Sequence, residues 1–399
     1  MAKWVELSRK LATIKAMEKQ KVETIIIGAG IAGIACARQL AKHKKDFLVI
    51  TEDIGGRILL SKNGRINYGA YFVLSNYRNV LPLVQKGEKL HPFLVEFHDK
   101  WKHYYHLIKI FKYPLQTLRL INLLLKFKSK YERFKRMSED KSQKVLIESD
   151  PDLKKLYFQA ADEFIREKKI YKIANKFLSE GVYMCTFLPL SQVSAFDFMR
   201  LCLGLISPAY EFTFLQEKAI KSFKNKIVMG TVSKIMNGKE YGVQTSRGKL
   251  YKGNNVVVAT SPVIAKKLCG IKKIKSGSNA YVYHIQGKLK DQWERGQYEL
   301  FESNSPVIFI RKQRDGSFIF YSKIAHPNLK DFFIKPRIIF KKNWEPAFNM
   351  IGNELLDCEQ GKALYLIGDH NIIGLEDSYL TGLYAANKIL LKAVKSSVK

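Results

Sequence analysis

The chain has 399 residues, 46% of them hydrophobic and 12% aromatic, which is a globular composition long enough for two domains and excludes a disordered or low-complexity protein. Lys and Arg number 68 against 36 Asp and Glu, a net charge of +32. Polyanions such as nucleic acid, anionic membrane or acidic metabolites are the natural counterparts of such a surface, and a merely solvated basic surface is the plain alternative.

Five cysteines (Cys36, Cys185, Cys202, Cys269, Cys358) form no CxxC pair, which fits a reducing compartment and offers neither a disulfide framework nor a thiolate metal site. No secretory apolar stretch opens the chain, and no apolar run reaches the roughly 18 residues of a membrane span. The expectation is a cytoplasmic protein, with peripheral membrane contact left open.

Residues 3–20 place Trp4, Leu7, Leu11 and Ile14 at helical spacing with Lys and Arg between them. This predicts a basic amphipathic helix over 1–21, lying on the protein body or on a membrane. Residues 22–27 (VETIII) read as a buried strand, 31–43 as a helix and 47–50 as a second strand, a strand–turn–helix–strand unit. Residues 80–180 are Lys-rich and helical in period, with Pro114 expected to break or kink a helix. They predict a helical insertion in a second domain. Strand signals return over 226–260, with hairpin turns at Asn237-Gly238 and Arg247-Gly248. Further strands are predicted over 279–285 and 307–321, the latter turning at Asp315-Gly316. A short strand over 363–367 and a helix over 379–392 close the chain.

Gly28-Ala29-Gly30-Ile31-Ala32-Gly33 is a GxGxxG that follows a strand and opens a helix, the context that gives the pattern its meaning. Gly28 permits the tight turn, Gly30 lets backbone approach a pyrophosphate, and Gly33 lets helix pack on strand. The N–H groups of Ile31, Ala32 and Gly33 at the helix terminus, with its partial positive charge, suit phosphates.

Three segments, GAGIAGIACARQL at 28–40, GGRI at 55–58 and RINYGAYFV at 65–73, resemble the flavin-containing amine oxidase superfamily, which includes protoporphyrinogen oxidases and phytoene desaturases. The C-terminal LYLIGD at 364–369 and SYLTGLYAA at 378–386 resemble its second FAD segment. The resemblance covers roughly 22–75, 226–262 and 363–392. It implies an α/β fold: a Rossmann-like FAD-binding domain with a second α+β substrate domain carrying a helical insertion. The implied division is an N-terminal helix over 1–21, an FAD-binding domain over 22–79, 215–265 and 355–399, and a substrate or cap domain over 80–214 and 266–354.

By the same resemblance, Gly55, Gly56 and Arg57 run along the pyrophosphate and flavin, and Gly69 and Ala70 approach the ring. Val232 meets the adenine through its backbone. Gly368 and Asp369 reach the ribityl chain, and a helix beginning near Tyr379, with Leu380, points its N-terminus at the pyrimidine end of the ring. A distal acidic segment of this kind argues for FAD rather than NAD.

The chain departs from the family pattern at three places. The acidic ribose ligand expected about 20 residues on is Thr51 at the usual offset, with Glu52 one further. The link from the second strand to GGR is short. The strand over 279–285 lacks the lysine that amine oxidases often carry there. Tyr71 and His370 are candidates for the substrate side of the ring; core packing and a loop role are their plain alternatives.

His103 and His106, three apart on the predicted helix, with His91 and His98 nearby, are read as a solvated basic face, and no metal is expected. The segment 95–136 reads as a cap over an apolar substrate tunnel, with a membrane-surface patch second. A nucleic-acid contact is third, since no recognition motif accompanies it.

The resulting expectation is an FAD-dependent oxidoreductase accepting a hydride from a C–N or C–C bond of an apolar small molecule. The alternative is a flavin-fold binding or scaffolding protein acting through its basic surface on anionic membrane or nucleic acid.

Overall fold

A computed structural model describes residues 20–91, 95–99, 102–104, 107–271, 277–294, 296–303, 305–348 and 354–397. The amphipathic helix predicted over 1–21 lies, but for its last two residues, outside them, as does His106.

Strand β1 (Gln20–Gly30) runs directly into α1 (Ile31–Lys42), and β2 (Phe47–Gly55) returns parallel to β1. The apolar run of β1 is continuous because both faces are covered. Ile26 packs among α1 side chains, while Ile25 and Ile27 point to the opposite layer. A hairpin over 57–70 follows, and then β3 (Phe72–Leu74).

Beyond it the chain is extended where a helix was expected: β4 (Val84–Lys89), β5 (Val95–Asp99) and β6 (Lys102–Tyr104) occupy the start of the 80–180 stretch. Pro114 does not interrupt a helix. It occupies the first position of α2 (Pro114–Met137), where a missing N–H costs nothing. The helical layer begins there and continues through a series of short helices as far as Cys202. Its core is built on Leu120, Leu124, Phe127 and Tyr131 of α2.

Strand β7 (Ala209–Phe214) joins β3 and β4 in a three-stranded antiparallel sheet of order β3-β7-β4. The 226–235 run, read as one β signal, breaks at Gly230. β8 (Ile227–Met229) pairs with β2, whereas β9 (Val232–Met236) crosses to the far edge of the same sheet. β10 (Tyr241–Thr245) and β11 (Leu250–Val258) complete two hairpins at the predicted Asn-Gly and Arg-Gly turns.

The second large sheet holds β12 (Ser278–Leu289), β13 (Tyr298–Phe301), β14 (Val307–Lys312), β15 (Phe318–Ser322) and β16 (Phe333–Phe348), in the order β16-β12-β15-β14-β13-β5-β6. The β14–β15 hairpin turns at Asp315-Gly316, as read. Finally β17 (Leu364–Leu366) pairs with β11, giving the first sheet the order β8-β2-β1-β11-β10-β9 with β17 beside β11.

Helix α3 (Leu375–Ser397) lies on α1 so closely that a Cβ at Gly382 would stand 2.1 Å from the Ala32 carbonyl oxygen. The architecture is therefore mixed α/β, a Rossmann-like layer joined to a second, sheet-and-helix part. Among the described residues no helix is long and apolar enough to cross a membrane.

Candidate cofactor and substrate site

The three motif glycines answer to three different constraints. Gly28 has φ +100°, and a Cβ there would stand 2.7 Å from the Ala259 carbonyl oxygen. At Gly33 a Cβ would fall 2.0 Å from the carbonyl oxygen of Gly28, so helix and strand could not meet. Gly30 differs: its φ of −69° suits any residue, and a Cβ there meets nothing within 4 Å. Neither strain nor packing requires glycine at position 30. The free space beside it, at a helix N-terminus, is a cradle for an anionic group.

The two segments GGRI and RINYGA prove to be arms of one hairpin. The N–H of Ala70 donates to Arg57 O (3.0 Å), that of Tyr68 to Leu59 O (2.7 Å), and that of Ser61 to Ile66 O (2.8 Å). Gly69 is glycine because a Cβ would stand 1.9 Å from Arg57 O. Strand β2 runs five residues past its predicted end, and Ile54 and Gly55 pair with Ala29 and Gly30. The short link thus carries Gly56 directly against Gly30, so that a Cβ on Gly56 would lie 3.2 Å from the Gly30 Cα.

Thr51 is buried, accepting from the Ala29 N–H (3.0 Å) and donating to the Asp53 carbonyl. Its hydroxyl braces the glycine turn with both of these bonds, and Glu52 beside it is exposed. The Gly230 N–H donates to Thr51 O (2.8 Å), which fixes the start of the 230–232 crossover beside β2, and Val232 at its end pairs with Thr245 of β10.

Arg57 and Asp369, 312 residues apart in sequence, form a bidentate ion pair, one bond 2.6 Å long. Arg57 also donates to Ala347 O at 2.9 Å. Burial works to raise the Asp369 pKa, but the Arg57 charge and hydrogen bonds outweigh it and hold the carboxyl below its usual range. Next to it, burial pushes His370 down to about 4, so the ring is neutral at pH 7. Apart from a weak approach to the Ile367 backbone, neither buried ring nitrogen has a hydrogen-bond partner.

Helix α3 begins at Leu375, one turn before the expected start near Tyr379. Gly374 caps it, accepting from the Ser378 N–H, and the acidic first turn extends the helix backwards. Tyr379 and Leu380 are therefore buried inside the helix, where their N–H groups serve the helical ladder. The positive end instead holds two buried carboxylates. Glu376 accepts from the backbone of Arg78, Asn79 and Val80. Asp377 accepts from Tyr131 Oη at 2.7 Å, and Arg200, paired with Asp197, lies nearby. Burial raises the pKa of both Glu376 and Asp377.

Just past the hairpin, Tyr71 stands edge-on to Phe309 (5.8 Å, 87°) and Tyr321 (6.1 Å, 68°), which stack on each other at 4.5 Å. Tyr321 Oη donates to Tyr68 O (3.0 Å) and Trp344 Nε1 to the same oxygen (2.9 Å), so the second sheet clamps the Gly69-Ala70 turn. The Tyr71 hydroxyl is buried without a partner, as is that of Thr260 just past β11. Burial keeps the Tyr71 phenol protonated. Orphaned polar atoms of this kind, one beside the Gly69-Ala70 turn and one beside Gly28, suit a ligand carrying polar groups.

Lys323 escaped the sequence reading. From the end of β15 its ammonium reaches Asn279 O (3.1 Å) and Phe187 O (3.2 Å), and burial lowers its pKa. It meets the very strand on which the resemblance looked for a lysine; 44 residues of separation left no local signal.

The histidines considered for a metal are scattered. His103 is on strand β6 and not on a helix, His91 is exposed, and His98 is buried against Glu299 (2.7 Å).

A family model described as an NAD(P)-binding Rossmann-like domain matches residues 26–86. No curated protein sequence matches the chain. Among solved structures, wild-type putrescine oxidase bound to putrescine superposes with a TM-score of 0.64 at 11% identity, over 94% of this chain and 100% of that one. Cyclohexylamine oxidase from Brevibacterium oxydans IH-35A gives 0.62 at 13%, over 95% and 100%. An oxidoreductase from Methanosarcina mazei gives 0.63 at 14%, over 92% and 100%. The chain thus carries the fold seen in putrescine and cyclohexylamine oxidases, with a Rossmann-like dinucleotide-binding segment in its first quarter.

Proposed function

We propose that the chain is an FAD-dependent oxidoreductase that takes a hydride from a C–N or C–C bond of an apolar small molecule. The observation that carries this reading is the space beside Gly30, unneeded by the fold and sited at a helix N-terminus. The fold shared with solved amine oxidases supports it.

When bound, FAD would supply the hydride acceptor, and the chain supplies binding, orientation and exclusion of water. In this reading the N–H groups of Ile31, Ala32 and Gly33 receive the pyrophosphate, with Gly55 and Gly56 closing over it. Glu52 holds the adenosine ribose, and the backbone of Val232 meets the adenine. Gly368 and Asp369 face the ribityl chain, with Arg57 keeping Asp369 ionised. Ala70 approaches the ring. Tyr71, Phe309 and Tyr321 form an apolar aromatic wall for substrate, and neutral His370 and the Tyr71 hydroxyl remain as local proton-bearing groups. Lys323, whose pKa burial lowers, holds the start of β12 through its bond to Asn279 O.

The test is the absorption spectrum of the purified protein and the flavin released on denaturation. A flavin spectrum with FAD near one per chain, bleached anaerobically by an amine or a desaturable substrate, is expected. Colourless protein that takes up no added FAD would overturn the reading and return attention to the basic surface as a binding module.

A further inference from the structure

The inward face of α2 is fully used: Leu120, Leu124, Phe127 and Tyr131 sit in the helical core. Its outward face is apolar as well. Leu115 is 70% exposed, Leu118 64%, Ile121 39% and Leu125 55%, and Phe111, just before the helix, is 68% exposed. At 100° per residue, positions 115, 118, 121 and 125 fall within one 120° sector, so this is a stripe and not scatter. Soluble surfaces rarely display such a contiguous run without a use for it.

Charge identifies the occupant. Residues 107–130 contain no Asp or Glu and six Lys or Arg. Lys112, Arg119 and Lys126 are exposed along the border of the stripe, and Lys169 and Lys172 stand exposed where Arg119 and Gln116 meet the neighbouring loop. A helix with a leucine–phenylalanine face rimmed by cations is the arrangement that settles into the headgroup layer of an anionic bilayer. A second copy of this chain would bring the same cations, and its own +32, against them.

We propose that the outer face of α2, led by Phe111, Leu115, Leu118 and Leu125, docks the protein peripherally on an anionic membrane surface. This does not rest on the flavin reading, since it concerns a surface that uses no cofactor.

The experiment is co-sedimentation of the full chain with vesicles of phosphatidylcholine alone or with about a third phosphatidylserine, at about 0.15 M salt. Both variants change exposed side chains, and unchanged thermal melting verifies their folding. The native protein pellets with the phosphatidylserine vesicles. The L118E/L125E variant loses about a hundredfold or more in partitioning. The R119Q/K126Q variant loses about thirtyfold on phosphatidylserine vesicles and little on phosphatidylcholine.

Native protein left in the supernatant, or L118E/L125E pelleting as the native chain does, overturns the proposal. So does either a self-association abolished by L118E/L125E or tight binding to single-stranded nucleic acid, when no vesicle binding accompanies it.

Discussion

Valine at position 30 separates cofactor binding from folding. A Cβ there meets no atom within 4 Å, and φ of −69° is open to every residue, so neither a Cβ clash nor backbone strain opposes the substitution. Losing glycine's freedom in the unfolded chain stabilises the fold by about 0.4–1 kcal/mol. Placing Val at the helix N-cap costs about the same, because Val is a poor cap. The two nearly cancel, and the melting temperature of the apoprotein moves by a few degrees at most. Binding is another matter. The isopropyl group fills the cradle and displaces a phosphate from the N–H groups of the helix end. Two charge-assisted hydrogen bonds at about 1.5–3 kcal/mol each give a hundredfold to ten-thousandfold weaker binding. Gly33→Ala is the contrast, since its Cβ would press on Gly28 O at 2.0 Å and must unseat the helix. Far-UV circular dichroism melts give the first quantity, and quenching of flavin fluorescence on titration gives the second. A Gly30→Val protein that folds and still binds one FAD with native affinity refutes the cradle. One that fails to fold refutes the claim that the fold leaves this space free.

Three further outcomes follow from the same geometry. His370, lowered to about 4 in the fold from an ordinary 6.5, binds fewer protons folded than unfolded. Its contribution is therefore complete above pH 6.5 and is lost as pH falls towards 4, by up to about 3 kcal/mol. Denaturant midpoints of the native chain should drop across that window more than those of His370→Gln, and parallel curves would contradict this. Asp369→Asn removes the negative charge and one of the two side-chain acceptors facing Arg57 and costs about 2–3 kcal/mol, less than for a wholly buried pair because 34% of the Arg57 side chain is exposed. Pairing Arg57→Met with Asp369→Leu restores much of that loss in the same urea titration, whereas additive losses would deny the coupling. Gly382→Ala forces a methyl to within 2.1 Å of Ala32 O and 2.8 Å of Ala35 Cβ. It should destabilise by about 3 kcal/mol or more through separation of α1 from α3, and an unchanged melting temperature would show that the contact yields freely.

The parts of the fold legible in sequence are those decided locally. The βα unit is written in a continuous apolar run and three glycines, and the three hairpins in Asn-Gly, Arg-Gly and Asp-Gly pairs, where the turn residue sets the backbone. The stretch over 84–104 misled because its strands are made by distant partners. Val95 pairs with Tyr298, and β4 with β7 more than a hundred residues on. A run of Lys, His and aromatics carries no period strong enough to announce such pairing. The early start of α3 was hidden for a related reason: Glu376 is held by the backbone of residues 78–80, which a local reading of the C-terminus does not include.

The same division runs through the candidate site. The half proposed to receive phosphate is made of backbone: a glycine turn, a helix end and a hairpin arm, whose requirements fix residue types at fixed spacings. The half proposed to receive substrate is made of side chains delivered by separate elements. Tyr71 follows the hairpin arm, Phe187 a short helix, Phe309 and Tyr321 two neighbouring strands, and Lys323 the end of β15. No spacing rule relates positions 71, 187, 309, 321 and 323, so none could be read. The physical consequence is that the two halves can change independently. On the proposed function, an aromatic replaced in the wall should alter which molecule fits without touching the glycine turn, whereas a change in the turn should weaken binding of FAD. The fold shared at 11–13% identity with a putrescine oxidase and a cyclohexylamine oxidase is what such independence produces.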